Sequence, residues 1–228
     1  MLLSSQIYKI LFTINIQEPD QKKDIEIRLK FALDKISEFY GSDVHPQQVY
    51  LNLIYSRDEF NKKIGRETPD WMMGFADKNI INLISRSVIR QRSSHSQDYF
   101  NKLLIHELVH IFTSEINDKA LMWLDEGLAL KIAGQEKKVE VPKDDWEYFV
   151  NNNGVLGQIS YQNFSDHSGY RIAYWLTNEL LNNFDKKDVM GLLKINPEQD
   201  NVDKKISEIL KISSGQIINL GKKCLRLI

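Results

Sequence analysis

The sequence predicts an α+β protein in which a small sheet with its helices comes first and a helical half follows. Two observations carry this. The strand-like runs all fall before residue 85, interleaved with amphipathic stretches, and from about residue 97 onward the apolar spacing is almost wholly helical. Residues 1–115 form the sheet-bearing half on this reading and residues 116–228 the helical half, the two making one functional unit.

The first strand is announced by Ile10, Phe12, Ile14 and Ile16 alternating with Leu11, Thr13 and Asn15. After a turn at Glu18-Pro19-Asp20, Ile25, Leu29, Ala32, Leu33, Ile36 and Phe39 recur at helical spacing over 22–40, and Gly41 stands at the natural stop. Val49, Leu51, Leu53 and Tyr55 alternate through a second strand. A short helix over 58–64 closes at Gly65. The runs 71–76 and 80–84 flank Asp77-Lys78-Asn79 and read as a hairpin. Residues 90–97 read as a polar loop in which Ser94 or Ser96 caps the helix marked by Tyr99, Leu103, Ile105, Leu108, Val109 and Phe112. A helix over 120–133 ends at Gly134, a loop rich in Asn and Gly covers 151–168, and helices follow near 169–184, 202–211 and 216–227.

Composition narrows the function. Of 228 residues, 30 are basic and 31 acidic, a formal net charge of -1, so the chain lacks the basic excess that gripping nucleic acid or an anionic membrane requires. Nucleic acid is not an expected partner, and neither is membrane insertion. Met1-Leu2-Leu3 and Ile10-Leu11-Phe12 make a poor signal peptide, because Lys9 interrupts them and no small-residue cleavage site follows. The expected compartment leans cytoplasmic, and oligomeric state is not legible. With one cysteine, Cys224, and five histidines, any transition-metal site must be built from imidazoles and carboxylates.

One string supplies those groups: His106-Glu107-Leu108-Val109-His110, inside the helix that begins after the polar loop. Histidines four apart lie on one helix face and can reach a single ion, while Glu107, rotated by about 100°, aims at a water on that ion. The competing reading makes both histidines ordinary core residues. Leu103, Leu104, Ile105, Ile111 and Phe112 wrap the helix circumference, however, and two uncoordinated imidazoles there would need other partners. A third ligand is needed beside an open position. Thr113 and Ile116 stand where a metzincin continuation needs glycine and histidine, which removes that branch. The next helix carries Trp123-Leu124-Asp125-Glu126-Gly127-Leu128-Ala129, and Glu126 is the natural third ligand. Gly127, costly in a helix by roughly 1 kcal/mol relative to alanine, reads either as a place where helices approach closely or as a glycine the helix simply tolerates.

These two strings resemble the gluzincin clan of zinc peptidases, and specifically the compact Peptidase-MA-like metallopeptidases, from about residue 48 to the C-terminus. Met73-Gly74-Phe75-Ala76 with Ile80-Ile81-Asn82-Leu83 resembles that family's hairpin, whose outer strand pairs with substrate. The stretch 170–184 resembles its post-ligand helix, which opens with a tyrosine, and 206–227 its closing helical pair. The resemblance implies a zincin-like fold with an active-site cleft between the halves. It also implies one Zn²⁺ held by His106, His110 and Glu126, Glu107 as general base and proton donor, and Tyr170 steadying the oxyanion. The implied activity is zinc-dependent peptide-bond hydrolysis on a peptide or protein substrate, as an endo- or oligopeptidase. The alternative is a zinc-bound, proteolytically silent module that holds a peptide or protein.

Departures from the family pattern refine the expectation. The hairpin offers only Asp77 where the large aminopeptidases carry an amine-holding glutamate, which disfavours exopeptidase activity. Leu130 stands one turn beyond Glu126, where a supporting carboxylate would stand. His45, His95 and His167 read as solvent-exposed, with His167 the best placed of the three to meet substrate, and Lys222, Lys223 and Arg226 read as a solvated face of the last helix.

Overall fold

The computed structural model describes residues 1–17, 21–92, 97–151 and 161–228, and they form a mixed α+β protein. The turn at 18–20, the capping serines at 94 and 96, His95 and residues 152–160 of the Asn-rich loop lie outside the described residues; the rest of that expected loop is largely helical, Asn151 ending one helix and Tyr161–Asp166 forming another. Two compact units divide the chain at Met1–Glu115 and Ile116–Ile228.

The first unit contains β1 (Leu2–Ile7), β2 (Ile10–Asn15), α1 (Gln21–Tyr40), β3 (Gln48–Ile54), α2 (Arg57–Ile64), β4 (Gly74–Asp77), β5 (Ile80–Ile84), α3 (Arg86–Arg92) and α4 (Gln97–Ile116). Its sheet runs β1-β2-β3-β5-β4, with β2, β3 and β5 mutually parallel and the two outer strands antiparallel to their neighbours. Period-two patterning does its expected work in the middle: Ile10, Phe12 and Ile14 on β2 and Val49, Leu51 and Leu53 on β3 are buried, whereas Leu11 and Tyr50 face outward. The six apolar positions read from the sequence of α1 are all buried, and Gly41 takes φ +77° at its end. Ser56 caps α2 by accepting the Glu59 N–H at 3.1 Å, and Gly65 closes it at φ +81°. α1 is tied to its neighbours by charge: Arg28 binds Asp24 at 2.8 Å and Asn101 of α4 at 2.6 Å, and Arg86 approaches Asp24 at 3.5 Å.

Strand β1 escaped the sequence reading. It is an edge strand whose residues are exposed or half-buried, so no apolar period announces it, and the Lys9 that broke the apparent leader sits in the turn joining it to β2. The hairpin also begins later than expected, at Gly74 and not at residue 71. The segment before it spends its polar groups on α2: the buried Arg57 donates to the carbonyls of Met72 at 2.6 Å and Asp70 at 3.0 Å, and Asn61 accepts the Thr68 N–H at 3.1 Å. These bonds hold residues 68–72 against α2, short of the strand. Asp77 closes β4 and the turn is Lys78-Asn79, with Lys78 at φ +53°.

The second unit contains α5 (Met122–Ile132), β6 (Glu140–Val141), α6 (Lys143–Asn151), α7 (Tyr161–Asp166), α8 (Gly169–Asn183), α9 (Lys186–Leu192), α10 (Val202–Leu210), α11 (Ser214–Cys224) and β7 (Arg226–Leu227). Helices α6, α7 and α9 were not foreseen: α7 spans one turn and a half inside the expected loop, and α6 and α9 each bury only two side chains, Trp146 with Phe149 and Val189 with Leu192, too few to set a helical period. The last helix stops at Cys224 and not near 227. Leu225 turns extended, and Arg226 and Ile228 donate to the carbonyls of Val139 and Val141 at 3.0 and 3.1 Å, forming a two-stranded parallel pair with β6. Arg226 therefore leaves the basic helix face on which the sequence placed it. Among the described residues no helix is long and apolar enough to cross a membrane.

The sheet core sets a clear stability expectation. Leu51, fully buried on the middle strand β3, should cost about 2–5 kcal/mol when cut to alanine, read as a lower urea midpoint with unchanged slope.

Candidate metal centre

Helix α4 is buried around nearly its whole girth: Leu103, Leu104, Ile105, Leu108, Val109, Ile111 and Phe112 are all inside. Its polar side chains are confined to a narrow half-buried strip, Lys102, His106, His110 and Ser114, and to a few enclosed positions. Thr113 is one of its buried polar groups, and its hydroxyl meets that of Tyr40 at 2.8 Å. Glu107, 5% exposed, is another, while His106 and His110 are half-buried. The two imidazoles stand 4.8 Å apart between centroids at 82°, as residues one turn apart on a single face should.

Glu107 lies against the edge strand. A Cβ built on Gly74 would come within 2.6 Å of its Oε1 and 2.7 Å of the Leu83 side chain, so only glycine lets the carboxylate occupy this position beside β4. A glycine inside a strand pattern is the available sequence signal for such a close approach, and its link to Glu107 was not read from the sequence.

Glu126 sits on α5, 8% exposed, among buried Trp123, Leu124, Leu128, Ala129 and Leu130. That helix lies close against α8, and Gly127 is the reason. A Cβ there would meet the Ala173 carbonyl at 2.5 Å and collide with Thr177, which decides for close approach over simple tolerance. Neighbouring Glu126 is thus held on a helix whose separation from α8 tolerates no added carbon.

The structure brings together three of the five residues named from the sequence as ligands or catalysts. Ligand atoms of His106, His110 and Glu126 all lie within 4.8 Å of one another, and the group could hold a metal ion. Two imidazoles and one carboxylate are a donor set that suits zinc and leaves coordination open.

Tyr170 lies in the first turn of α8, half-buried, its ring edge-on to Phe164 at 5.1 Å. The ammonium of Lys137 is 5.9 Å from the Tyr170 ring centroid. Lys137 did not figure in the sequence reading, and nothing in its local pattern singles it out. Burial holds its pKa below the usual lysine range, the Glu126 charge opposes that shift and Arg171 adds to it. His167 is not the solvent-exposed residue expected: it stacks on Tyr148 at 3.8 Å and approaches Asp145 at 3.4 Å. His45 is half-buried beside the Pro46 carbonyl, and Asp77 is exposed at the end of β4.

No protein-family model matches the chain, and no curated protein matches it significantly in sequence.

Both glycines are testable. Gly127→Ala should destabilise the protein by about 1–3 kcal/mol and weaken metal binding, because the helix carrying Glu126 must move; thermal unfolding with zinc titration measures both. Gly74→Ala should leave metal affinity near that of the wild type and displace Glu107, visible in a crystal structure of the variant as a changed Glu107 rotamer.

Proposed function

We propose that this protein is a zinc-dependent metallopeptidase that hydrolyses bonds within peptide or protein substrates, as an endo- or oligopeptidase, with Glu107 as general base. The observation that carries the reading is the convergence of His106, His110 and Glu126 to within 4.8 Å, with a buried carboxylate, Glu107, next in sequence to the first of them. A bound zinc ion would supply Lewis acidity and bring the pKa of coordinated water to ~7.

The chain's own residues supply the rest on this reading. Glu107 takes a proton from the attacking water and later delivers it to the leaving amine, a role its enclosure favours because bulk water does not compete for the carboxylate. The Tyr170 hydroxyl donates to the oxygen on which charge develops. Strand β4 ends the sheet and its Gly74 lies against Glu107, which supports a reading in which an extended peptide pairs with that strand near the base. The fold, on the same reading, is zincin-like.

Metal analysis and one substitution test the proposal. The wild type should retain one zinc per chain and cleave members of a mixed peptide library, whereas Glu107→Gln should keep the zinc and lose about 10²–10⁴-fold in rate. Undiminished cleavage by Glu107→Gln would remove the base from the mechanism. A zinc-loaded wild type that binds library peptides and cuts none would replace the peptidase by a silent peptide-binding module.

A further inference from the structure

Lys137 stands in a short segment that α8 holds from outside. The segment leaves α5 at Gly134, which takes φ +65°, and reaches β6 at Glu140. Trp175 of α8 donates its indole N–H to the Lys138 carbonyl at 3.2 Å, and Arg171 of α8 donates to the Glu140 carbonyl at 3.1 Å. Two bonds to the backbone on the C-terminal side of Lys137 fix where its side chain starts. That side chain is half-buried and runs to the Tyr170 ring, within the range at which a cation and an aromatic face attract.

The charges around it form a pattern. Glu126 and Arg171 both lie near enough to bias Lys137 electrostatically, one of each sign. Among the described residues the Lys137 ammonium makes no hydrogen bond and no ion pair. A half-buried ammonium is costly unless an acceptor completes it, and were the Glu126 charge engaged by a metal ion, the charges left acting at Lys137 would be its own and that of Arg171, both positive. Such a pair recognises an anion, and a carboxylate is the anion a peptide carries.

We propose that Lys137, supported by Arg171, is the carboxylate-recognition group of the site, so that the preferred substrate is a peptide presenting a carboxylate near the bond to be cut. This rests on the peptidase reading. The carboxylate has two sources, the peptide C-terminus or an Asp or Glu side chain. The overall charge of -1 conceals the preference, because the positive element is local.

Binding without turnover tests it. Zinc-loaded Glu107→Gln protein is titrated with an N-acetylated alanine pentapeptide in three forms: the free acid, the C-terminal amide, and the amide with one internal glutamate. A charge-assisted contact should make at least one anionic form bind about tenfold or more tighter than the neutral amide. The anionic form that gains identifies the source. Adding Lys137→Met should abolish that preference while zinc stoichiometry is unchanged; Lys137→Arg should restore it, and Lys138→Met, at the exposed neighbour, should leave it intact. Equal affinity for all three forms, or a preference that survives Lys137→Met, overturns the proposal. The peptidase reading fails separately: if the wild type cleaves no peptide but carboxylates still bind through Lys137, recognition stands and hydrolysis falls. Equal cleavage of neutral and anionic peptides by the wild type and by Lys137→Met reverses that outcome.

Discussion

Two carboxylates in apolar surroundings set the terms for everything around them. Glu107 and Glu126 are 5% and 8% exposed, and an ionised carboxylate removed from water is tolerated only where opposite charge or several donors meet it. A core of this size gains nothing in stability from such groups that leucine would not give better. They stand on two strongly apolar helices, and with two imidazoles Glu126 makes a group that could hold a metal ion, whose charge would offset that of the enclosed carboxylate.

Keeping such groups where they are needed falls to backbone more than to side chains. Each acid has a glycine beside it that admits no Cβ: Gly74 across from Glu107, and Gly127 following Glu126. The first lets a carboxylate press against an edge strand, and the second lets α5 and α8 touch backbone to side chain. A methyl group at Gly127 would move the helix that carries Glu126, because it meets the Ala173 carbonyl; one at Gly74 would displace the Glu107 side chain. Arg57 braces the approach to the edge strand, donating to the Met72 and Asp70 carbonyls shortly before Gly74.

Much of this was legible in the sequence, for reasons that can be stated residue by residue. The alternation from Ile10 to Ile16 and from Val49 to Leu53, and the spacing from Ile25 to Phe39, are burial patterns written directly in hydrophobicity, and the structure buries those side chains. Elements that bury little carry no such writing. Strand β1 and helices α6 and α9 belong to this group, and β7 exists only because Arg226 and Ile228 find the carbonyls of Val139 and Val141 far back along the chain.

The candidate site divides in the same way. Helical periodicity by itself determined that His106 and His110 share a face and that Glu107 points elsewhere, because an i, i+4 relation is a property of one helix. The close approach of a helix at Gly127 was legible as one of two readings, since a helix can also tolerate a single glycine. Only the tertiary structure decided that Glu126 comes within ligand distance of the histidines, that Gly74 faces Glu107, and that Lys137 lies by Tyr170. Those relations join residues on separate elements, and a local pattern cannot encode a distance that is set by how whole elements pack.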